Sequence, residues 1–295
     1  MRVLIPGANG QVGRELVARA AQHSLEAIGL TRADVDLTDA DAVRSFVAAQ
    51  RPDAIVNAAA YTAVDRAESE SGLAFAVNRD GPAQLAAACV QLGIPLVHFS
   101  TDYVFDGTKP EPYAEGDPAA PLGVYGQSKW AGEQAIRAAL SRHLILRVSW
   151  VFSRHGSNFV KTMLRLGRER EALRVVADQH GGPTPASAIA DAALTALQQA
   201  VERDGDWGTY HFCGAPFTTW HGFADAIFEE ARRHEALAVG RVEPIPATAY
   251  PTPAARPANS RMDTDRIART FGIAPADWHA ALADVVAGLQ PTAAP

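Results

Sequence analysis

The sequence predicts an α/β fold, in which a doubly wound parallel sheet carries a smaller C-terminal lobe. Short apolar segments alternate strictly with helical segments through the first half of the 295-residue chain. This alternation is typical of βαβ units, whose right-handed crossovers place helices on both faces of a parallel sheet. After Ser149 the alternation loosens, and a proline-rich segment appears at residues 244–257. These two features predict one sheet domain followed by a second, smaller unit.

The predicted elements of the first half are evenly spaced, and Thr38 is expected to cap the second helix. Strands are predicted at residues 2–5, 25–30, 54–57, 95–100 and 143–149, and helices at residues 11–22, 39–50, 71–92 and 123–140.

In the second half we expect helices near residues 157–170, 186–203 and 219–234, and strands near 173–177 and 208–212. Residues 1–148 are predicted to form the first domain, which the strands and helix near 172–213 rejoin. Residues 149–295 are predicted to form the second lobe, mainly through 149–171 and 214–295. The proline-rich segment cannot be regular helix, so it is either an ordered loop over a cleft or a flexible linker.

Composition excludes several classes of protein. The chain is 47% hydrophobic with a net charge of -6, whereas a nucleic-acid-binding surface would be basic. No apolar run approaches the roughly 18 residues of a membrane helix, and no secretory signal precedes the first motif. We therefore expect a cytoplasmic protein without a nucleic-acid or membrane partner. Cys89 and Cys213 have no CxxC neighbour and are expected to be buried thiols.

Three glycines follow the first predicted strand and open the first helix. Gly7, Gly10 and Gly13 give the spacing G-x-x-G-x-x-G. Such a turn lets the backbone approach a pyrophosphate closely, and the helix N-terminus offers unpaired N–H groups to the phosphates. The spacing predicts a dinucleotide-binding Rossmann domain, with a tight strand–helix turn as the structural alternative.

The end of the second strand bears on the choice of dinucleotide. An acid here would bind the ribose hydroxyls of NADH, but this chain has Thr31 and Arg32. Arginine can hydrogen-bond a 2′-phosphate, so the pair favours NADPH, with NADH possible and a solvated Arg32 as the alternative. Asp36 and Leu37 are expected beside the adenine ring.

Tyr125 and Lys129 form the pattern Tyr-x-x-x-Lys. Four residues apart on a helix, both side chains share one face, and an ammonium group favours the ionised form of a nearby phenol. Thr101, at the end of the fourth strand, is expected to polarise a substrate carbonyl, with Ser100 as the alternative that only ends the strand. The trio predicts hydride transfer from a nicotinamide, with Tyr125 as proton donor.

Segments along nearly the whole chain resemble the dTDP-4-dehydrorhamnose reductase family of extended short-chain dehydrogenases. The segments that carry the resemblance are IVNAAAYTAVDRAES, VHFSTDYVFDGT, YGQSKWAGE, RVSWVF, NFVKTMLR, DQHGGPT, TTWHGFA and YPTPAARPANSRMDT. The resemblance implies reduction of a dTDP-linked keto-sugar in dTDP-rhamnose biosynthesis, with a nucleotide sugar as substrate.

The resemblance also implies roles for individual residues. Thr101, Tyr125 and Lys129 match the catalytic trio. The cofactor is expected to contact the pyrophosphate-binding residues Gly10, Gln11 and Val12 and the lining residues Ala60, Tyr61 and Thr62. The substrate is expected to contact Thr101, Asp102, Trp150, Asn158 and Arg256, with Arg256 on a phosphate.

Some family members pair through a metal bound to acidic residues. Glu15 matches one such ligand, but Ser187 stands where a second acid is expected. We therefore predict no metal and leave a monomer or homodimer open.

Two other functions remain as alternatives. A nucleotide-sugar epimerase or dehydratase shares the trio, but a dehydratase would have an acid pair after Thr101, where this chain has Asp102 and Tyr103. A non-catalytic regulatory subunit of this fold would tend to lose part of the trio, which is intact here.

Overall fold

The computed structural model describes residues 1–289, and its centre is a six-stranded parallel sheet. The strands lie in the order β2-β1-β3-β4-β5-β10. The strands that form it are β1 (Arg2–Pro6), β2 (Glu26–Leu30), β3 (Ala54–Asn57), β4 (Leu96–Thr101), β5 (His143–Val148) and β10 (Gly208–His211). The predicted doubly wound α/β class is confirmed.

Two layers of helices cover the sheet. α1 (Gln11–Arg19) and α8 (Ala186–Arg203) pack on one face around buried residues such as Leu16 and Leu194. The other face is covered by α2 (Ala40–Gln50), α5 (Gly81–Leu92) and α6 (Val124–Ala139), around residues such as Val43 and Ile136. Cys89 is buried in this second core, as predicted, and Cys213 is buried in a smaller cluster with Phe105 and Met262.

The smaller lobe has a separate apolar core of its own, in which Phe152, Phe223 and Trp278 are buried. Its helices are α7 (Phe159–Glu169), α9 (Trp220–Ala231) and α11 (Trp278–Ala287), and its longer strands are β7 (Ala172–Val176) and β13 (Arg241–Ile245). The remaining elements are α3 (Val64–Ala67), α4 (Ser71–Phe75), α10 (Asp265–Phe271), β6 (Val151–Phe152), β8 (His180–Gly181), β9 (Thr184–Pro185), β11 (Gly214–Ala215), β12 (Thr218–Thr219) and β14 (Ala276–Asp277).

Some local predictions need correction. Asp39, not Thr38, caps α2, because its carboxylate accepts the amides of Asp41 and Ala42. The strand predicted near 173–177 forms as β7, but it pairs with β13 and not with the large sheet. As predicted, β10 pairs with β5 in the large sheet, and α8 packs against that sheet. The domain boundaries themselves stay a prediction.

The segment after β13 is folded against the rest of the chain. It contains a 3₁₀ turn at Ala247–Ala249, and its residues 247–252 line a cleft of the smaller lobe. Across residues 1–289, no helix is long and apolar enough to cross a membrane.

Candidate active site

Several predicted site residues lie together at one edge of the large sheet. Gly7, Thr31 and Ala58 follow β1, β2 and β3 directly, and Thr101 ends β4 opposite Val148 of β5. Parallel strands bring all of their carboxyl ends to the same edge, and ligands bind along that edge in open α/β sheets. The site is therefore built from residues that are far apart in sequence.

The glycine turn forms a cradle that side chains would fill. A Cβ on Gly7, whose φ is +81°, would lie 2.5 Å from the Ala59 nitrogen. A Cβ on Gly13 would lie 2.0 Å from the Gly7 oxygen, so the start of α1 can press against β1 only without one. Gly10 caps α1 without any side chain, which leaves the first helical amides facing outward. These features fit a dinucleotide pyrophosphate.

A cleft runs from the glycine turn along the ends of β2 and β3. Eight of the predicted cofactor residues line it: Gly7, Gly10, Thr31, Arg32, Asp36, Leu37, Ala60 and Tyr61. Thr62 is exposed and does not line this cleft. Leu73 and Val77, from the helical segment after β3, also line it and were not predicted. Their helical spacing gave no sign that they face a ligand.

Two charged side chains lie at the end of this cleft that is nearest β2. The exposed Arg32 guanidinium lies 3.3 Å from the Asp36 carboxylate, and the Thr31 hydroxyl donates to Asp34. Hydrogen bonds from Thr38 hold the pKa of Asp36 below its ordinary value, and Arg32 adds to this effect. The Arg32 guanidinium is thus exposed at the mouth of the cleft, where it forms an ion pair with the Asp36 carboxylate.

Gln11 and Val12, predicted to contact the pyrophosphate, do not line this cleft. The Gln11 carboxamide accepts hydrogen bonds from Ser153 at 3.0 Å and from Asn158 at 2.8 Å, and Val12 packs against the apolar core. Asn158 also caps α7 by accepting the Lys161 amide. The polar atoms of Asn158 therefore join the glycine turn to the smaller lobe, and Asn158 lines neither cleft.

Asn78 holds the Tyr61 segment in place and was not predicted. Its side chain accepts the Tyr61 amide at 2.8 Å, and donates to the Tyr61 carbonyl and to Ser128 on α6. The helix predicted over 71–92 runs through α4, a π-helical segment at Ala76–Asp80 and α5. Pro82 has no amide to continue the ordinary ladder, and π segments are frequent near functional sites.

The Thr101, Tyr125 and Lys129 side chains come together beside the end of β4. Tyr125 is partly exposed, whereas Thr101 and Lys129 are buried. Burial raises the pKa of Tyr125 to about 12, although a hydrogen bond with Thr101 opposes the shift. Burial lowers the pKa of Lys129 to about 8, against the charge of Glu133. Tyr125 therefore keeps its proton at neutral pH, as a proton donor must.

The Lys129 Nζ contacts a series of buried polar groups that the sequence did not predict. Its Nζ lies 2.6 Å from the Phe99 carbonyl and 3.1 Å from His98 Nε2. His98 Nδ1 in turn lies 3.0 Å from the Asn57 side-chain amide, and Asn57 Oδ1 accepts the Ala59 amide. His98 and Asn57 are each only 1% exposed, so no solvent supplies an alternative partner.

Asp102 follows Thr101 and is almost fully buried. Its Oδ1 accepts the Thr101 hydroxyl at 3.1 Å, whereas Oδ2 has no partner of good hydrogen-bond geometry within residues 1–289. Burial raises the pKa of Asp102 to about 6, although the Ser260 and Thr101 hydroxyls oppose the shift. Asp102 is thus a buried carboxyl group beside the trio, and one of its oxygens makes no well-aligned hydrogen bond within residues 1–289.

A second cleft, of about 890 Å³, lies in the smaller lobe, within the size range of small-molecule sites. Arg256 lines it together with Phe159, Met163, Gln179, Trp220 and Tyr250. Trp150 has a φ of +46° and stacks on Trp220 at 3.6 Å between ring centroids. Gly181 permits this pose, since a Cβ there would lie 2.4 Å from the Trp150 ring.

Arg256 also joins the two halves of the site. Its guanidinium makes two hydrogen bonds to the Asp65 carboxylate, at 3.0 and 2.8 Å. These bonds hold the pKa of Asp65 below its ordinary value. Asp65 lies on α3, directly after the β3 segment that lines the cofactor cleft. The predicted phosphate ligand is therefore already paired with a carboxylate.

Glu15, considered above as a metal ligand, is instead near basic groups. It bonds to Arg19 at 3.2 Å and lies 3.4 Å from His155, and Ser187 lies on α8. Within the described chain, no three His, Cys, Asp or Glu side chains cluster so that they could hold a metal ion.

A parallel sheet with a glycine cradle at its carboxyl edge, and a Thr–Tyr–Lys trio beside the end of its fourth strand, defines the class of short-chain dehydrogenases. Comparison with known proteins narrows the class. The family model described as RmlD substrate binding domain matches residues 1–290. The chain is 46% identical to a dTDP-4-dehydrorhamnose reductase of Burkholderia thailandensis, over 96% of this chain and 97% of that protein. The chain belongs to the dTDP-4-dehydrorhamnose reductase family.

Solved structures agree with this membership. A dTDP-4-dehydrorhamnose reductase of Clostridium acetobutylicum superposes with a TM-score of 0.91 at 35% identity, covering 99% of this chain and 100% of that one. The Bacillus anthracis enzyme of the same name, solved in complex with NADP, gives a TM-score of 0.88 at 36% identity, covering 97% and 99%.

Proposed function

We propose that the protein reduces the C4 ketone of dTDP-4-dehydro-L-rhamnose to give dTDP-L-rhamnose, with NADPH as the preferred reductant. The observation that carries the proposal is the trio of Thr101, Tyr125 and Lys129, complete and assembled beside the end of β4, in a chain of this family. When bound, the reduced nicotinamide supplies the hydride to the ketone carbon. The cytoplasmic location and the oligomeric state stay predictions.

In this mechanism the chain's own residues manage the proton and the developing charge. Tyr125 holds its proton, because its pKa is raised to about 12, and gives it to the oxygen that becomes an alcohol. Thr101 donates a hydrogen bond to the same oxygen, which stabilises the charge in the transition state. Lys129 lies one helical turn from Tyr125 and stabilises the phenolate left after proton transfer.

The substrate is proposed to extend from the trio into the smaller lobe. Asp102 and Trp150 would bind the sugar, since Asp102 has a free oxygen and Trp150 stacks beside the second cleft. The nucleotide would occupy that cleft, where Trp220 and Phe159 offer aromatic faces and Arg256 offers a cation for phosphate.

The preference for NADPH is proposed from the end of β2. Arg32 lines the cofactor cleft, and no carboxylate stands at residue 30 or 31. The NADP bound by the relative from Bacillus anthracis supports this choice. The pairing of Arg32 with Asp36 leaves NADH as a usable second donor.

The test is the oxidation of the reduced dinucleotide by the purified protein, followed by absorbance with and without dTDP-4-dehydro-L-rhamnose. We expect oxidation of the dinucleotide only when the sugar is present. We also expect a higher kcat/KM for NADPH than for NADH. Tyr125→Phe should lower kcat by about 10²- to 10⁴-fold, the range for loss of a general acid. Tyr210→Phe is the matched control, since Tyr210 lies on β10, donates to the Asp206 carbonyl and lines neither cleft.

The outcomes separate the alternatives. Turnover without net reduction, or with other nucleotide sugars only, would favour an epimerase. Dinucleotide that stays bound and unoxidised with every sugar would favour a regulatory subunit. Equal loss of activity in Tyr125→Phe and Tyr210→Phe would contradict the role of Tyr125 as proton donor.

A further inference from the structure

The Gln11 side chain connects the glycine turn to the helix that lines the second cleft. Gln11 is the first residue of α1. Its carboxamide lies 3.0 Å from Ser153 Oγ and 2.8 Å from Asn158 Nδ2. Both partners belong to the segment that joins β6 to α7, so one side chain of the sheet domain holds the start of a helix in the smaller lobe.

Hydrogen-bond chemistry fixes which end of the Gln11 carboxamide makes these contacts. The backbone amide of Lys161 can only donate, so the Asn158 atom that faces it at 3.1 Å is the oxygen. Asn158 therefore presents its NH₂ group to Gln11, which must accept through its own oxygen. The Ser153 hydroxyl accepts the His155 amide at 3.0 Å and can donate its own hydrogen to the same Gln11 oxygen.

The segment from Ser153 to Asn158 packs closely against Gln11. Gly156 has a φ of +61°, and a Cβ there would lie 3.3 Å from Gln11 Cγ. Ser153 is only 3% exposed, and its carbonyl accepts a hydrogen bond from Asn158 Nδ2 at 2.7 Å. Because the segment is held together by its own hydrogen bonds, a restraint on Gln11 acts on the segment as a unit.

Asn158 extends this restraint to α7. Its side chain caps the helix, and its carbonyl accepts the Thr162 amide at 3.1 Å and the Thr162 hydroxyl at 2.9 Å. α7 in turn contributes Phe159, Thr162 and Met163 to the lining of the second cleft. One wall of that cleft is thus connected through Asn158 to the first residue of α1.

The backbone of Gln11 belongs to the turn that fits a pyrophosphate. Gly10 caps α1 without a side chain, and its carbonyl accepts the Arg14 amide at 3.0 Å. The amides of residues 11–13 have no partner within the helix, as at every helix N-terminus, and can bind phosphate oxygens. A bound pyrophosphate would therefore restrain the Gln11 backbone, and the Gln11 side chain would then restrain Asn158.

We propose that Gln11 is a positioning residue, through which a dinucleotide bound at the glycine turn orders the helix that lines the second cleft. The two lobes have separate apolar cores, so polar contacts between them have a large share in setting their relative position. Hydride transfer requires both bound ligands to be held at reacting distance, and a link of this kind holds them.

The link has a thermodynamic consequence. If the dinucleotide orders α7, it also favours binding of the nucleotide sugar in the second cleft, and the sugar favours binding of the dinucleotide by the same factor. This consequence for the sugar rests on the proposed function, whereas the ordering of α7 by the dinucleotide does not.

The experiment is hydrogen–deuterium exchange of the whole protein, with and without saturating NADP⁺, followed by mass spectrometry of peptides that cover α7. Amide exchange reports the free energy of local opening. In the wild-type protein we expect NADP⁺ to slow exchange in α7 by about tenfold, the effect of one or two neutral hydrogen bonds. Unchanged exchange in α7 would overturn the proposal, even if no variant folds.

Two variants of Gln11 separate its hydrogen bonds from its bulk. Gln11→Met keeps the length of the side chain but has only a weakly accepting sulfur, so NADP⁺ should no longer slow exchange in α7. Gln11→Glu keeps an acceptor oxygen for Ser153 and Asn158 and should show the wild-type effect at saturating NADP⁺. The matched control is Gln198→Met, which removes a hydrogen bond to the His23 carbonyl at a residue that lines neither cleft.

Persistence of the NADP⁺ effect in Gln11→Met, or its loss in Gln11→Glu and Gln198→Met alike, would also overturn the proposal. In steady-state kinetics at saturating NADPH, Gln11→Met should raise KM for the nucleotide sugar about tenfold, and Gln11→Glu should not. A protein whose α7 responds to NADP⁺ through Gln11 but that reduces no sugar would contradict the proposed function and support the positioning role of Gln11.

Discussion

Burial controls the ionisable side chains beside the trio, and Asp102 shows this at the scale of one residue. Its carboxyl group is 2% exposed and leaves Oδ2 without a partner of good geometry within the described chain. A buried carboxylate without a cation is unfavourable, and a free oxygen is useful for binding a sugar hydroxyl. The protein therefore keeps a destabilising group where the proposed substrate binds.

The stability of Asp102→Asn should reveal this cost. The pKa of Asp102 is raised from 3.8 to about 6 on folding, so the unfolded chain loses the proton first. Stability is therefore lost as pH rises from about 4 to 6. At pH 8 the neutral amide of the Asp102→Asn variant should stabilise the fold by about 1 to 3 kcal/mol. At pH 4 the gain should disappear, because Asp102 is then protonated in the folded wild-type protein as well.

Urea denaturation of both proteins at pH 4 and pH 8 measures this difference. An equal change in unfolding free energy at the two pH values would show that folding does not raise the pKa of Asp102.

At the scale of elements, α6 is fixed to the sheet by a buried ionic network. Glu133 on α6 accepts hydrogen bonds from Ser100 on β4 and from Arg147 on β5, and all three side chains are buried. Tyr125 and Lys129 lie on the same helix, so the network sets their position relative to Thr101. The position of the trio is thus a property of three elements.

Removing the charge of Glu133 should destabilise the protein strongly. Glu133→Gln leaves the Arg147 cation buried without its counter-ion, which typically costs about 3 to 5 kcal/mol. Chemical denaturation gives the unfolding free energy. The matched control is Glu169→Gln, whose exposed pair with Arg165 on α7 should contribute little. Similar losses in the two variants would contradict the structural importance of the buried network.

At the scale of the whole molecule, Asp65 and Arg256 join the sheet domain to the segment that lines the second cleft. Arg256 lines the second cleft, Asp65 lies on α3, and the Asp65 carboxylate also accepts the Ala254 amide. Arg256 can serve as a phosphate ligand, as a link between the halves of the site, or as both. Kinetics of two variants distinguish these roles.

If Arg256 binds phosphate, Arg256→Gln should raise KM for the nucleotide sugar about tenfold, the effect of about 1.4 kcal/mol. Asp65→Asn should leave KM unchanged or lower it, because Arg256 is then free for the phosphate. Steady-state rates at saturating NADPH, with the sugar varied, give both values. An equal rise in KM for both variants would show that Arg256 acts only as a link.

Sequence alone predicted the features of the fold and of the candidate site that depend on local pattern. The regular alternation of apolar and helical segments predicted the doubly wound sheet, because backbone hydrogen bonding and apolar burial impose fixed periods. Gly7 and Gly13 predicted the cofactor cradle, since only glycine fits a turn this tight. The Tyr125–Lys129 spacing placed both side chains on one helix face.

The tertiary structure alone decided which distant residues meet. Asn57 and His98 lie 41 residues apart, and neither has a neighbour in sequence that marks it as a partner of Lys129. β7 is not part of the large sheet, because it pairs instead with β13, which lies far along the chain. Asn158 and Arg256 matched the family's binding segments, but their hydrogen bonds to Gln11 and Asp65 depend on how the two halves pack. Local periodicity specifies elements, whereas the contacts that set charge and protonation arise only when those elements are packed together.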